Sequence, residues 1–182
     1  MNLKFLSCLT LTLALSVSVQ AENYAGLGIG KSWNGGHAYS DNKKHDFETL
    51  STMWSFYAGK IIPTEWFDLR LEGEFLRMDA HAKHTRTRQV RALMANATGV
   101  IPNTGWFAEP YVGMGAGYAR YDHNNTLGFQ FIGGLEYDFD NYPIGTAVEY
   151  RHLWFTEDGG KNNANKSNLN SDTLMLKLKY FF

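Results

Sequence analysis

The chain has 182 residues, a formal net charge of −1, 15% aromatic side chains, 18 glycines and one cysteine. The lone cysteine excludes a disulfide-stapled module, and the balanced charge leaves no surplus for a nucleic-acid partner. No run of about 18 apolar residues follows the amino terminus, which excludes a helical membrane span, and a mean hydropathy of −0.33 beside so many aromatics suits strands that are apolar only at alternate positions.

Met1 to Ala21 carries Lys4, an apolar run from Leu9 to Val19, and small residues around Val19-Gln20-Ala21. This is the pattern of a secretory signal peptide, so the mature domain is expected over residues 22–182. Cys8 lies inside the apolar run, and the mature chain is expected to carry no thiol. About 160 residues remain, one domain's worth.

Asn23 to Lys31 sets Ala25, Leu27 and Ile29 against Gly26, Gly28 and Gly30, predicting a first strand with one apolar face. Ser32 to Leu50 is polar and reads as a loop. A second strand, Ser51 to Ile62, alternates Trp54, Phe56 and Ala58 with Ser55, Tyr57 and Gly59, and turns at Pro63. Trp66 to Met78 is the third, with Leu69, Leu71, Gly73 and Phe75 opposite Arg70, Glu72 and Glu74. Such an opposition needs hydrocarbon on one side and a polar interior on the other.

After the polar stretch Asp79 to Arg88, Gln89 to Ile101 returns with Leu93, Ala95 and Ala97 opposite Met94, Asn96 and Thr98, and a tight turn is expected at Pro102-Asn103-Thr104-Gly105. Trp106 to Tyr121 places Val112, Met114, Ala116 and Tyr118 against Gly113, Gly115 and Gly117. A modest loop, Asp122 to Thr126, leads to Gly128–Phe139, where Phe129, Phe131, Leu135 and Tyr137 oppose Gln130, Ile132, Gly134 and Glu136. Pro143 marks another turn, and Ile144 to Phe155 sets Thr146, Val148, Tyr150 and Trp154 against Ala147, Glu149 and Arg151. The polar stretch Thr156 to Ser171 precedes a closing strand, Thr173 to Phe182, with Leu174, Leu176, Leu178, Tyr180 and Phe182 on one face. Eight strands with connections alternating long and short predict an all-β, eight-stranded antiparallel up-and-down transmembrane barrel.

Tyr24 to Gly30, Arg70-Leu71-Glu72, Leu93 to Asn96, Pro110 to Tyr118, Glu149-Tyr150-Arg151 and the Tyr180-Phe181-Phe182 ending resemble the opacity/OmpA-like outer-membrane β-barrel superfamily across the whole mature chain. The resemblance implies a bacterial outer-membrane location, loops at the cell surface, both termini periplasmic and a monomer. It further implies that Leu178, Tyr180 and Phe182 form the signal read by the barrel-assembly machinery. Function is poorly specified, because one barrel hosts adhesins, anchors, evasion factors and a few lipid-modifying enzymes.

A weaker similarity to the lipid A deacylase barrels implies a His and a Ser two residues apart on the seventh strand, with a later Glu as orienter. His152 stands on that strand, but Trp154 occupies the serine's place and no Glu lies beyond Glu157. Without the hydroxyl there is no nucleophile for acyl transfer, and no enzyme activity is expected. Asp79, His81 and His84 have the chemistry of metal ligands, yet Lys83, Arg86 and Arg88 beside them would repel a cation. No metal or cofactor is expected.

Two clusters remain. Arg77, Lys83, Arg86, Arg88 and Arg91 have only Asp79 to offset them, and they suit lipopolysaccharide phosphates or sulfated host glycans as well as a solvated hairpin tip. Arg70, Glu72, Glu74, Glu136, Glu149, Arg151, Lys177 and Lys179 fall on the inward side, four acids and four bases. An eight-stranded barrel has room only for side chains, and an unpaired buried ion costs several kcal/mol. Lys177 and Lys179 are therefore expected to meet Glu149 and Glu136, and Arg151 to meet Glu72 or Glu74, filling the interior. The expected function is a surface barrel without catalysis, presenting four polar loops for adhesion, host interaction or envelope integrity and contacting lipopolysaccharide or host surface molecules. A lipid-modifying enzyme and a narrow pore are the alternatives.

Overall fold

A computed structural model describes residues 22–40, 43–46, 50–80, 88–102, 104–121, 124–156 and 168–182. Residues 1–21, expected to be a signal peptide, lie outside the described residues. Nine strands follow one another: β1 (Asn23–Ser40), β2 (Lys43–Asp46), β3 (Leu50–Pro63), β4 (Asp68–Ala80), β5 (Arg88–Val100), β6 (Glu109–Tyr121), β7 (Asn124–Asp138), β8 (Ile144–Thr156) and β9 (Asn168–Phe181). From β3 onward each pairs antiparallel with the next, and β1 pairs with both β3 and β9, so that eight strands close a barrel as the alternation implies. Closure leaves no free sheet edge in the wall.

β2 pairs with β1 alone, His37–Ser40 against Lys43–Asp46, and lengthens the first hairpin. Within the stretch expected to be a loop, residues 32–40 and 43–46 are thus strand. The ladder of β1 to β9 runs on through Gly36↔Leu169 and His37↔Asn168.

The alternation of connection lengths also needs correction. β6 and β7 are separated only by residues 122–123, whereas the connection after Val100 spans residues 101–108. Trp106 and Phe107, read as the start of a strand, instead sit exposed beside that turn, at 72% and 84%. Gly105, at φ 76°, supplies the left-handed residue this reversal needs. The end of the barrel holding residues 64–67, 101–108 and 139–143 is called the turn end below, and the opposite end the loop end.

Side chains alternate between two environments. Leu27, Leu93, Val112, Phe131 and Leu176 are each more than half exposed on the outer wall, a continuous apolar belt far larger than a water-facing surface carries. Inward positions are buried, and two glycines show how tightly they are filled. A Cβ at Gly134 would lie 2.6 Å from the Tyr111 ring, and one at Gly59 would lie 2.6 Å from the Tyr24 hydroxyl, so tyrosine rings occupy the space the glycines leave.

Candidate functional site

The interior divides along the barrel axis. Toward the loop end, Met53, Leu76, Met78, Val90, Met94, Leu153, Phe155 and Met175 pack into one apolar cluster. Methionine suits such a lumen because its unbranched thioether fills irregular gaps. The interior expected from the sequence is polar and charge-balanced, and this apolar plug departs from it. Its cause is visible on β4: up to Phe75 the apolar residues point out and Arg70, Glu72 and Glu74 point in, but beyond it Leu76 and Met78 are buried while Arg77 and Asp79 face outward.

The turn-end half is ionic. Arg151, with no exposed surface, donates from Nη1 to Glu74 Oε2 at 2.8 Å and from Nε to Glu149. Glu74 Oε2 also accepts from Asn96 at 2.9 Å, and Asn96 Oδ1 accepts from Gln130 at 2.6 Å. Glu149 accepts from the Tyr111 hydroxyl at 2.9 Å. Lys177 Nζ lies 3.3 Å from Glu149 and 3.4 Å from Glu72, and 3.9 Å above the centre of the Tyr57 ring. Nearer the turns, Arg70 forks both oxygens of Glu136, which also accepts from Lys179 at 2.8 Å. Asp138 stands 3.2 Å from Lys179 and was not part of the expected set.

Among the described residues, a polar cavity of about 20 Å³ lies between these groups, lined by Tyr24, Tyr57, Glu72, Tyr111 and Glu136 among others. That is about one water molecule's room. The interior is thus filled by a largely paired network of bidentate and charge-assisted bonds, in which Arg70 Nε, Glu74 Oε1 and Arg151 Nη2 have no hydrogen-bond partner among the described residues.

On the outer wall, Arg77 lies 3.4 Å from Asp79, with its guanidinium 5.8 Å from the centre of the Trp54 ring. Arg91 is exposed and donates to Gln89 at 3.2 Å. Arg88 opens β5 opposite Ala80. Lys83 and Arg86 lie outside the described residues, as do His81 and His84 of the considered metal set. Among the described residues no group of three metal-ligating side chains occurs.

His152 lies within β8, facing outward. Its Nδ1 is 2.8 Å from Asp172 Oδ1, and the Tyr150 hydroxyl donates to the same oxygen at 2.5 Å. Asp172 is His152's cross-strand neighbour on β9, so this carboxylate partner is an aspartate brought in by register rather than a later Glu. At the serine's place Trp154 stands beside the imidazole, with ring centres 5.8 Å apart and planes tilted by 39°.

Leu178, Tyr180 and Phe182 all face outward, at 50%, 54% and 71% exposure. Phe182 donates its amide to the Asn23 carbonyl at 2.9 Å, which ties the final residue to the first strand.

The chain matches the family model of the outer membrane protein beta-barrel domain over residues 7–182. Neisserial surface protein A is similar in structure, with 16% identity and a TM-score of 0.67 over 90% of this chain and 100% of that one. The outer membrane enzyme PagL is similar at 11% identity and a TM-score of 0.53, covering 85% of this chain and 97% of its own. No curated protein sequence matches. At these identities the likeness is one of fold alone, and it extends to a surface protein and to an enzyme.

Proposed function

As the chain belongs to the outer membrane protein beta-barrel family, and so to the bacterial outer membrane, we propose that it is a non-catalytic surface barrel serving adhesion, host interaction or envelope integrity. In this reading residues 1–21 direct export and are removed before Glu22. The loop end faces outward, both termini face the periplasm, and the barrel works as a monomer. Leu178, Tyr180 and Phe182 form the signal taken up by the barrel-assembly machinery. The observation that carries the reading is the filled interior: an apolar plug stacked on a paired ionic network, with a cavity of about 20 Å³. A barrel closed this way transports nothing, which leaves its outer surface and connections to act.

One observation favours a second reading, a lipid-modifying enzyme: the His152–Asp172 pair at 2.8 Å on the outer wall, two thirds of a hydrolytic triad. A strain lacking the gene separates the two. Reduced attachment to host cells or matrix with an unchanged lipid A mass spectrum supports the surface role. A lipid A shift restored by wild type but not by His152→Ala would replace it with the enzyme, and large steady conductance of the purified barrel in planar bilayers would replace it with a pore.

A further inference from the structure

Three neighbouring strands place an arginine at the same level of the outer wall. Arg77 of β4 is the cross-strand partner of Arg91 of β5, and Arg91 is the partner of Arg120 of β6. Their chain neighbours Leu76, Met78, Val90, Ala92 and Ala119 are buried in the lumen, so all three guanidiniums point away from it. Strands lie about 4.8 Å apart, which puts three positive charges within roughly 10 Å. Like charges directly opposite one another are destabilising. Among the described residues, the carboxylate within ion-pair reach of the row is Asp79, 3.4 Å from Arg77.

The level of the row is informative. One step toward the turn end stand Phe75, Leu93 and Tyr118, exposed at 38%, 65% and 51%. Below them come Gly73, Ala95 and Ala116, then Leu71, Ala97 and Met114. The outer face of these strands is thus apolar up to the row and charged at it, while the inner face changes in the opposite sense. A wall whose polarity inverts on both faces at one level marks the edge of the hydrocarbon layer. A cation on the lipid face is strongly disfavoured at the midplane and tolerated near the interface. Trp54, paired with Arg77 across β3 and β4, flanks the row with its ring under the guanidinium, as an interfacial aromatic does.

We propose that Arg77, Arg91 and Arg120 form a binding site for the phosphates of a glycolipid of the outer leaflet. Guanidinium forks would hold the phosphate oxygens, and acyl chains would lie along Phe75, Leu93 and Tyr118. Arginine serves because it presents paired donors to a phosphate. The site differs from the hairpin tip suggested by the sequence: it lies on the barrel wall and recruits Arg120, twenty-nine positions after Arg91 and invisible to a local charge count. The inference rests on the loop end facing outward.

The test uses the full-length protein refolded in detergent. Binding of bis-phosphorylated lipid A is compared with that of the same lipid A stripped of both phosphates, for wild type and for Arg91→Gln/Arg120→Gln. Loss of about tenfold or more in affinity on removing either the phosphates or the arginines is expected, with wild-type binding weakening as salt rises. Unchanged heat-modifiable migration of the double variant shows that folding is intact; should it not fold, Arg120→Gln alone serves. Equal binding of both lipids, or of both proteins, would overturn the site. Arginine-dependent binding of heparin without any of lipid A would assign the row to soluble sulfated glycans and overturn the lipid. Orientation is read separately, by impermeant labelling of Lys161→Cys on intact cells. Absent labelling would overturn the surface reading and the outer-leaflet assignment with it, whereas labelling beside equal binding of both lipids would overturn the site alone.

Discussion

The two halves of the lumen are closed by opposite means. Around Met53, Leu76, Met78, Met94 and Met175 the loop-end half is filled by side chains that demand only volume. Around Arg151, Glu74, Glu149 and Lys177 the turn-end half is filled by charges that demand partners, each at a fixed distance and angle. An apolar plug degrades gradually when a methylene is lost. An ionic one fails abruptly, because removal of one member strands another without water. Specificity of strand register therefore resides in the charged half, and tolerance in the apolar half.

The largest expected effect comes from Arg151→Ala, which leaves Glu74 and Glu149 short of their shared cation. Equilibrium unfolding in urea from lipid bilayers should show a loss of about 3–5 kcal/mol. The paired change Arg151→Met with Glu74→Gln removes one charge of each sign and keeps Lys177 and Tyr111 on Glu149, so it should recover most of that loss. A double variant as unstable as the single would show that the network works by shape rather than by charge balance. Next comes Leu76→Ala, which opens a void in the apolar half and should cost about 2–4 kcal/mol in the same measurement. Unlike the first, its cost should be insensitive to neighbouring charge substitutions. The smallest is Lys179→Met, because Glu136 keeps both donors of Arg70. About 1–2 kcal/mol is expected, and a loss equal to that of Arg151→Ala would erase the distinction between shared and sole partners.

How much of this was legible depended on where one polarity rule holds. Between two media the rule is fixed, and Leu69 to Phe75 or Leu174 to Phe182 declare strand, face and register by period alone. Past Phe75 the rule reverses, so Leu76 and Met78 could not be recognised as lumen residues without knowing where the hydrocarbon ends. Ser32–Ser40 looked like a loop because its composition is polar. The His152–Asp172 pair and the Arg77, Arg91 and Arg120 row are products of register between strands, and register is a property of the closed sheet rather than of any local stretch. The inward charges could be assigned to a face from period alone. Their particular partners, such as Arg70 with Glu136, depend on strand stagger.

The seam between β1 and β9 carries a kinetic consequence. Ser32 and Thr173, hydrogen-bonded at 2.7 Å, are 141 residues apart in sequence, so the earliest strand to emerge waits for the last before its second edge is covered. Such distant pairing makes closure the slow, entropically costly step, and until then both edges of the open sheet invite pairing with other chains. β9 also brings Lys177 and Lys179, the cations that neutralise Glu72, Glu149 and Glu136. Sealing the edge and discharging the lumen thus occur in one event. A partly zipped barrel carries surplus negative charge inside as well as a raw edge, and it has little reason to persist: the assembly is driven toward two populations, open or shut.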